Sequence, residues 1–228
     1  MLFWTNYKNW LKIADTSLPR NIFGYVLVVC LKLLKSDSFT LKPYDDPKEI
    51  AKCGIDIGKR SFLKEKLPER NGPRPSILKF IAPNRQTSQK ADEAMHKLLA
   101  KALDNLVAEH SAHVVVKTST LEKSGDALFI HDNIITPHQI AKKTKREIAH
   151  VHTGANSGDY SLHLCLSPTD CKEVISKQWG ERMGLAGTLV PQEYLLIYTP
   201  RTEEEVAVVK NIVESSIMFM TGGRDFID

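Results

Sequence analysis

The stretch KREIAHVHTGANSGDYSLHLCLSPTDCKEVISKQWGERMGLAG, residues 145–187, decides how this chain is read. Residues 146–153 alternate strictly, so a strand there puts Arg146, Ile148, His150 and His152 on one face and Glu147, Ala149, Val151 and Thr153 on the other. Residues 160–166 alternate likewise, with Ser161, His163 and Cys165 opposite Tyr160, Leu162, Leu164 and Leu166. Between them stand Gly-Ala-Asn-Ser-Gly-Asp, all turn formers, which makes an antiparallel hairpin the simplest connection. Pairing Thr153 with Tyr160 sets His150 opposite His163 and His152 opposite Ser161, with Ala149 facing Leu164 and Val151 facing Leu162. A slip of one residue would mix the apolar and polar faces, so the pattern itself selects this register. The polar face then carries three imidazoles, a guanidinium, a hydroxyl and a thiol. Such a face either meets water, as solvated or structurally bonded histidines, or lines a pocket.

Working outward, 228 residues suffice for one good-sized core or at most two small domains. The chain is 42% hydrophobic and 25% charged, an ordinary globular composition. Its net charge is +4, and the basic residues are scattered among 27 acids with no continuous stripe, which argues against a nucleic-acid partner. Cys30, Cys53, Cys165 and Cys171 show no Cys-x-x-Cys spacing, so free thiols and no zinc knuckle are expected. The expected location is intracellular, either cytoplasmic or peripherally attached to a membrane.

Residues 1–20 form an N-terminal segment that spaces Phe3, Trp4, Tyr7, Trp10, Leu11 and Ala14 at helical intervals. This predicts a helix lying on a membrane surface or packed on its own domain, with peripheral membrane contact through residues 1–35 as one reading. Residues 22–31 are uninterruptedly apolar but reach only half of the ~20 residues needed to span a bilayer, which predicts a buried helix. Prolines and glycines break up residues 37–75, leaving short helical pieces near 47–53 and 59–65. Residues 88–109 carry a helical core stripe, 113–118 and 127–130 read as strands that could pair, and a helical turn follows Pro137. Ser167-Pro168 starts another helix, 193–198 is a strand, and Thr202-Glu-Glu-Glu opens a last helix that Gly222-Gly223 stops. No βαβ alternation dominates, so residues 21–228 are read as one α+β domain, a mostly antiparallel sheet with helices packed on one side. The remaining histidines, His96, His110, His113, His131 and His138, are expected at surfaces or connectors.

At K-R-E-I-A-H-V-H, S-L-H-L, W-G-E-R-M-G-L-A-G, Y-T-P-R-T-E-E-E and E-S-S-I-M-F-M-T the chain resembles the fungal luciferase family. The resemblance continues upstream through N-I-F-G-Y-V-L-V-V-C-L, the P-Y-D at Tyr44 and G-P-R-P-S-I, covering most of residues 21–221 in order. It implies a bioluminescent type of chemistry, the oxidation of 3-hydroxyhispidin, a hydroxylated pyrone polyketide of fungal secondary metabolism, by dioxygen with no added cofactor. Where the family has His-Pro after the arginine of the W-G-x-R motif, this chain has Met183-Gly184.

An electron-rich enol reacts with dioxygen once it is deprotonated, because the carbanion supplies the electrons. The protein must provide a base, cationic or hydrogen-bonding groups for the enolate, and a dry pocket. His150, His152 and His163 are the candidate bases, and Arg146 is the catalytic cation on their face. Arg182, with Trp179, Tyr194, Tyr198 and Met183, is the candidate substrate-binding set, the aromatics offering flat apolar walls to a polyketide. Trp179 could equally plug the core at a helix end. A metal reading exists, since imidazoles at i and i+2 with a third across the hairpin can converge on a divalent ion. No carboxylate is evident on that face, because Glu147 points the other way in this register, and neither metal nor organic cofactor is expected. Two rival functions use the same pocket: a non-oxidative isomerase or cyclase, and a non-catalytic small-molecule-binding protein.

Overall fold

Ala149 pairs with Leu164, His150 with His163 and Val151 with Leu162, the register that the alternation selects. These residues belong to β3 (Glu147–Val151) and β4 (Leu162–Cys165) in a computed structural model that describes residues 2–14, 18–153 and 158–223. Residues 154–157, the centre of the expected hairpin turn, lie outside the described residues. With β1 (Val114–Thr118), β2 (Asp126–Ile130), β5 (Gly180–Arg182) and β6 (Tyr194–Ile197) they form one six-stranded sheet of order β1-β2-β3-β4-β6-β5, antiparallel at every pairing. The fold is therefore single-domain α+β.

The helices are α1 (Leu2–Ile13), α2 (Ile22–Leu31), α3 (Pro47–Cys53), α4 (Ile55–Lys59), α5 (Glu93–Glu109), α6 (Gln139–Lys143), α7 (Pro168–Ser176) and α8 (Glu203–Met220). The long ones begin where the sequence supplies caps. Asp92 accepts from the Met95 amide at the start of α5, Ser167 from Asp170 at α7, and Thr202 from Glu205 at α8, so amides that the helix cannot satisfy itself are bonded. Helix α8 packs on β3, β4 and α5 and buries Val209, Ile212, Val213, Ile217, Phe219 and Met220. Each such side chain contributes on the order of 1.5–3 kcal/mol, which makes this layer the main source of cohesion.

The other face of the sheet, which carries the histidines, is covered largely without helix. Residues 82–85, the turn at Leu121 and Glu122, and Met183 and Val190 close over His150, His163 and Tyr194. Outside that cover sits a second apolar cluster in which Trp10, Tyr25 and Val28 of the first two helices meet Ile81 and Leu185, with Met183 touching both cores. Helix α1 thus packs on its own domain: Trp10 is fully buried and donates through Nε1 to the Ala82 carbonyl at 3.1 Å.

Several local expectations need correction. Helix α2 has the expected bounds but is not buried, since only Gly24, Tyr25 and Val28 are enclosed. Its apolar run lacks a polar face, and packing alone decides which side is covered. Residues 60–65 form no helix, because Ser61 and the Phe62 amide bond to the Asp170 carboxylate instead. Strand β5 went unforeseen at three residues long. Gly180 admits it, since a Cβ there would lie 2.5 Å from the Leu196 carbonyl oxygen. His110, expected at the surface, is buried and bonds Glu214 at 3.3 Å; His138 lies in a connector as expected but is also buried, capping α6 and bonding the Phe219 carbonyl at 3.0 Å. All four cysteines are free. Among the described residues no helix is long and apolar enough to cross a membrane.

Candidate active site

The hairpin gathers His150, His152 and His163 into one cluster, with ring centroids 5.0–5.5 Å apart and all three side chains buried. Each ring is held through Nδ1. His150 Nδ1 lies 2.6 Å from the Glu147 carboxylate and His163 Nδ1 lies 3.0 Å from the Leu195 carbonyl. Both partners only accept, so both nitrogens carry the proton. His152 Nδ1 lies 2.8 Å from Ser161 Oγ, whose own hydrogen goes to Asp159, so this nitrogen donates as well. His152 is left with its lone pair at Nε2, which is buried and has no hydrogen-bond partner. A buried polar atom without a partner marks a place where something else is meant to bind or where free energy is stored.

Glu147 joins His150 although strict alternation puts it on the other face. The pairing shows why. Leu128 sits opposite Ala149 and Phe129 opposite Glu147, so β3 carries one extra residue, Ile148, against β2. That bulge turns Glu147 to the histidine side and buries Ile148 in the core. The Glu147 carboxylate also accepts from Ser119 Oγ at 2.9 Å, from the Thr120 amide and hydroxyl at 2.8 and 3.0 Å, and from the Leu121 amide at 3.1 Å. It thereby fixes the turn that delivers Glu122, whose Oε2 is 3.6 Å from His150 Nε2 and whose Oε1 pairs with Arg85.

The electrostatics follow from burial. Burial first, then the Arg85 guanidinium and the neighbouring imidazoles, hold His152 well below the ordinary histidine pKa. His163 is held down by burial, then by His150 and Arg85, with backbone bonding to Leu195 and Asn84 opposing only in part. Burial works against ionisation of Glu147, but hydrogen bonds from His150, Ser119 and Thr120 outweigh it and keep its pKa below the usual range. Asp159 is pushed up by burial, against its bonds from Ser161.

A cavity of about 140 Å³ opens in front of this cluster, lined among others by Arg85, Glu122, His150, His163, Met183 and Tyr194. Tyr194 stacks on His163 with rings 4.9 Å apart and 14° from parallel, giving one flat wall. Of the residues singled out from the sequence, His150, His163, Met183 and Tyr194 therefore share the cavity, with His152 directly behind. The other four are placed elsewhere. Arg146 leaves the strand face because its φ is +73°, and its guanidinium bonds the carbonyls of Ile130, His131 and Ile134 and the Thr136 hydroxyl. Arg182 is buried beneath the segment before α3, where it bonds the Asp37 and Thr40 carbonyls. Trp179 is a core plug that donates to the Pro68 carbonyl at 2.7 Å. Tyr198 donates to Glu181 at 2.8 Å beside Arg70. Arg85 and Glu122 carried no local signal, since each reaches the site from a loop far away in sequence.

A larger cavity, about 190 Å³, lies between α5 and the sheet, lined by Leu103, Val107, Leu128 and Val151 together with Asp104, Asp126, His150 and Tyr160. It reaches His150 but none of Arg85, Glu122 and His163, which converge in the smaller one and make that the better place for chemistry.

A family profile described as a luciferase domain matches residues 145–216, the segment that supplies all three histidines. Proteins named luciferase from Armillaria gallica and Neonothopanus nambi are each 37% identical over 95% of this chain and 80% of their own length, and one from Armillaria ostoyae is 36% identical over the same shares. No solved structure matches.

Proposed function

Because the chain belongs to the fungal luciferase family, we propose that its histidine-lined cavity oxidises a hydroxylated pyrone or similar enol, such as 3-hydroxyhispidin, with dioxygen and without flavin or nicotinamide. The observation that carries the reading is the His150–Glu147 pair at the cavity wall, 2.6 Å apart, with Arg85 across from it. The substrate ring lies against the Tyr194–His163 stack. Its enol O–H gives a proton to His150 Nε2, and the Glu147 carboxylate behind the ring stabilises the imidazolium that results. Arg85 balances the enolate oxygen. The electron-rich carbon then gives two electrons in all to dioxygen and forms a C–O bond, so the substrate gains a peroxide and both oxygen atoms stay on it. His163, bonded to backbone through its ring, serves as wall and not as base.

Oxygen uptake with 3-hydroxyhispidin, recorded together with light, tests this. The wild-type chain should consume oxygen in proportion to substrate, and His150→Gln should lower the rate by about a hundredfold or more. Conversion of the pyrone without oxygen uptake would replace the reading by the isomerase or cyclase. Retention of the pyrone with no product would leave a binding protein.

A further inference from the structure

We propose that Glu122, His150 and His152 form a binding site for one divalent first-row transition-metal ion at the back of the cavity. The proposal rests on reading the cavity as the active site and reassigns His150 Nε2. With the ion bound that nitrogen is a ligand and not the base, the ion holds the enolate oxygen, and the enol proton leaves to water through the open side of the cavity.

One ligand atom from each of the three side chains lies within 4.8 Å of the others; both histidines are buried, and the Glu122 side chain is only 10% exposed. His150 Nε2 and Glu122 Oε2 are 3.6 Å apart. Tetrahedral ligands at about 2.1 Å from an ion stand roughly 3.4 Å from one another, so this pair needs almost no movement. The second observation is independent of the cluster itself. His152 Nε2 is a buried lone pair with no partner, on a side chain that is 1% exposed.

The surroundings are built in the way metal ligands are supported. A ligating imidazole commonly donates its other N–H to a carboxylate, which fixes its tautomer and aim. His150 does so to Glu147, and His152 does so through Ser161 to Asp159. Glu122 keeps Oε1 on Arg85 and turns Oε2 toward His150. Two imidazoles, one carboxylate and an open side facing the cavity suit iron, cobalt or zinc, and hard alkaline-earth ions poorly. The objection raised by alternation alone, that no carboxylate shares the histidine face, falls away because the carboxylate comes from a different loop.

The test uses the full chain, stripped with a chelator, freed of any tag and titrated with Co²⁺ alone. Visible ligand-field absorption should grow to about one equivalent. Glu122→Gln and His152→Gln should each weaken binding by well over tenfold, and Ser161→Ala, which touches no ion, by about ten- to a hundredfold. Circular dichroism of each variant separates lost binding from lost folding, and the serine variant keeps the test open if a ligand variant fails to fold. Absence of a saturating cobalt spectrum in folded wild type, or a spectrum unchanged in all three variants, overturns the site. Stripped protein that still oxidises the pyrone at the full rate, with no cobalt binding, overturns the metal and leaves the function reading standing. Tight cobalt binding without pyrone oxidation does the reverse.

Discussion

Glu193 is fully buried just before β6, with one carboxylate oxygen 3.8 Å from Cys53 Sγ and the other unpartnered. Burial, with Glu49 adding repulsion against a weaker pull from Lys52, raises its pKa from the ordinary 4.5 to about 7. A carboxyl that holds its proton more tightly when folded stabilises the fold below the unfolded value, and that contribution disappears as pH rises through the folded one. Stability should therefore fall between pH 4.5 and about 7 by up to about 3 kcal/mol from this group. Glu193→Gln, which cannot ionise, should flatten that part of the profile and melt higher than wild type above neutrality. Thermal unfolding at stepped pH measures it, and parallel profiles for the two proteins would remove Glu193 as the cause. At the same scale, Glu147 shows the limit of reading side chains by parity. Period-two alternation gave the partners of Ala149, His150 and Val151 correctly, yet one extra residue at Ile148 reversed the side on which Glu147 lies. A bulge costs little and leaves no mark in the pattern, so the carboxylate behind His150 was not legible in the sequence.

Elements were legible where caps and periodicity agreed, as in α7 and α8. The stripe alone found α5 but placed its start at residue 88, whereas the helix begins at Glu93 behind the Asp92 cap. Strand β5 and residues 60–65, which tertiary contacts decide, were poorly legible. The same division explains the arginines. Arg182 reads from the sequence as a cation able to hold an enolate, but β5 turns it toward the carbonyls of Asp37 and Thr40 and over the Tyr44 ring. Its work is to tie the irregular segment before α3 to the sheet edge. Arg182→Met keeps the bulk but strands buried carbonyls, and should cost about 2–4 kcal/mol of stability. Activity per folded molecule should change little, since Arg182 does not line the cavity. Chemical denaturation combined with KM for the pyrone checks both halves, and a large rise in KM with unchanged stability would return Arg182 to the substrate.

The molecule as a whole is two-sided. Helix α8 buries its apolar face against the sheet, whereas the α1–α2 side leaves Phe3, Trp4, Ile22, Phe23, Val26, Val29, Leu33 and Leu34 exposed. Lys8, Lys12, Arg20, Lys32 and Lys35 stand exposed on the same two helices and the turns that flank them. Apolar side chains ringed by cations suit the headgroup region of an anionic bilayer, in which the apolar groups leave water while each Lys or Arg adds about 1 kcal/mol near the surface. Neither helix is long enough to span a bilayer by itself. The cavity cover at Ala82, Pro83 and Met183 packs directly beneath this pair of helices. A sparingly soluble pyrone held in the membrane would thus meet the protein on the side where the cavity is closed by loops. Flotation with vesicles rich in phosphatidylserine should carry the chain upward at low salt and much less at high salt, because the ionic part is screened within about 10 Å at 0.1 M. Neutral vesicles should bind it weakly. Phe23→Ser with Leu33→Ser, both on exposed positions, should abolish flotation while oxygen uptake with water-dispersed pyrone stays at the wild-type rate. Equal flotation of wild type and the double variant would show that these helices serve some other contact.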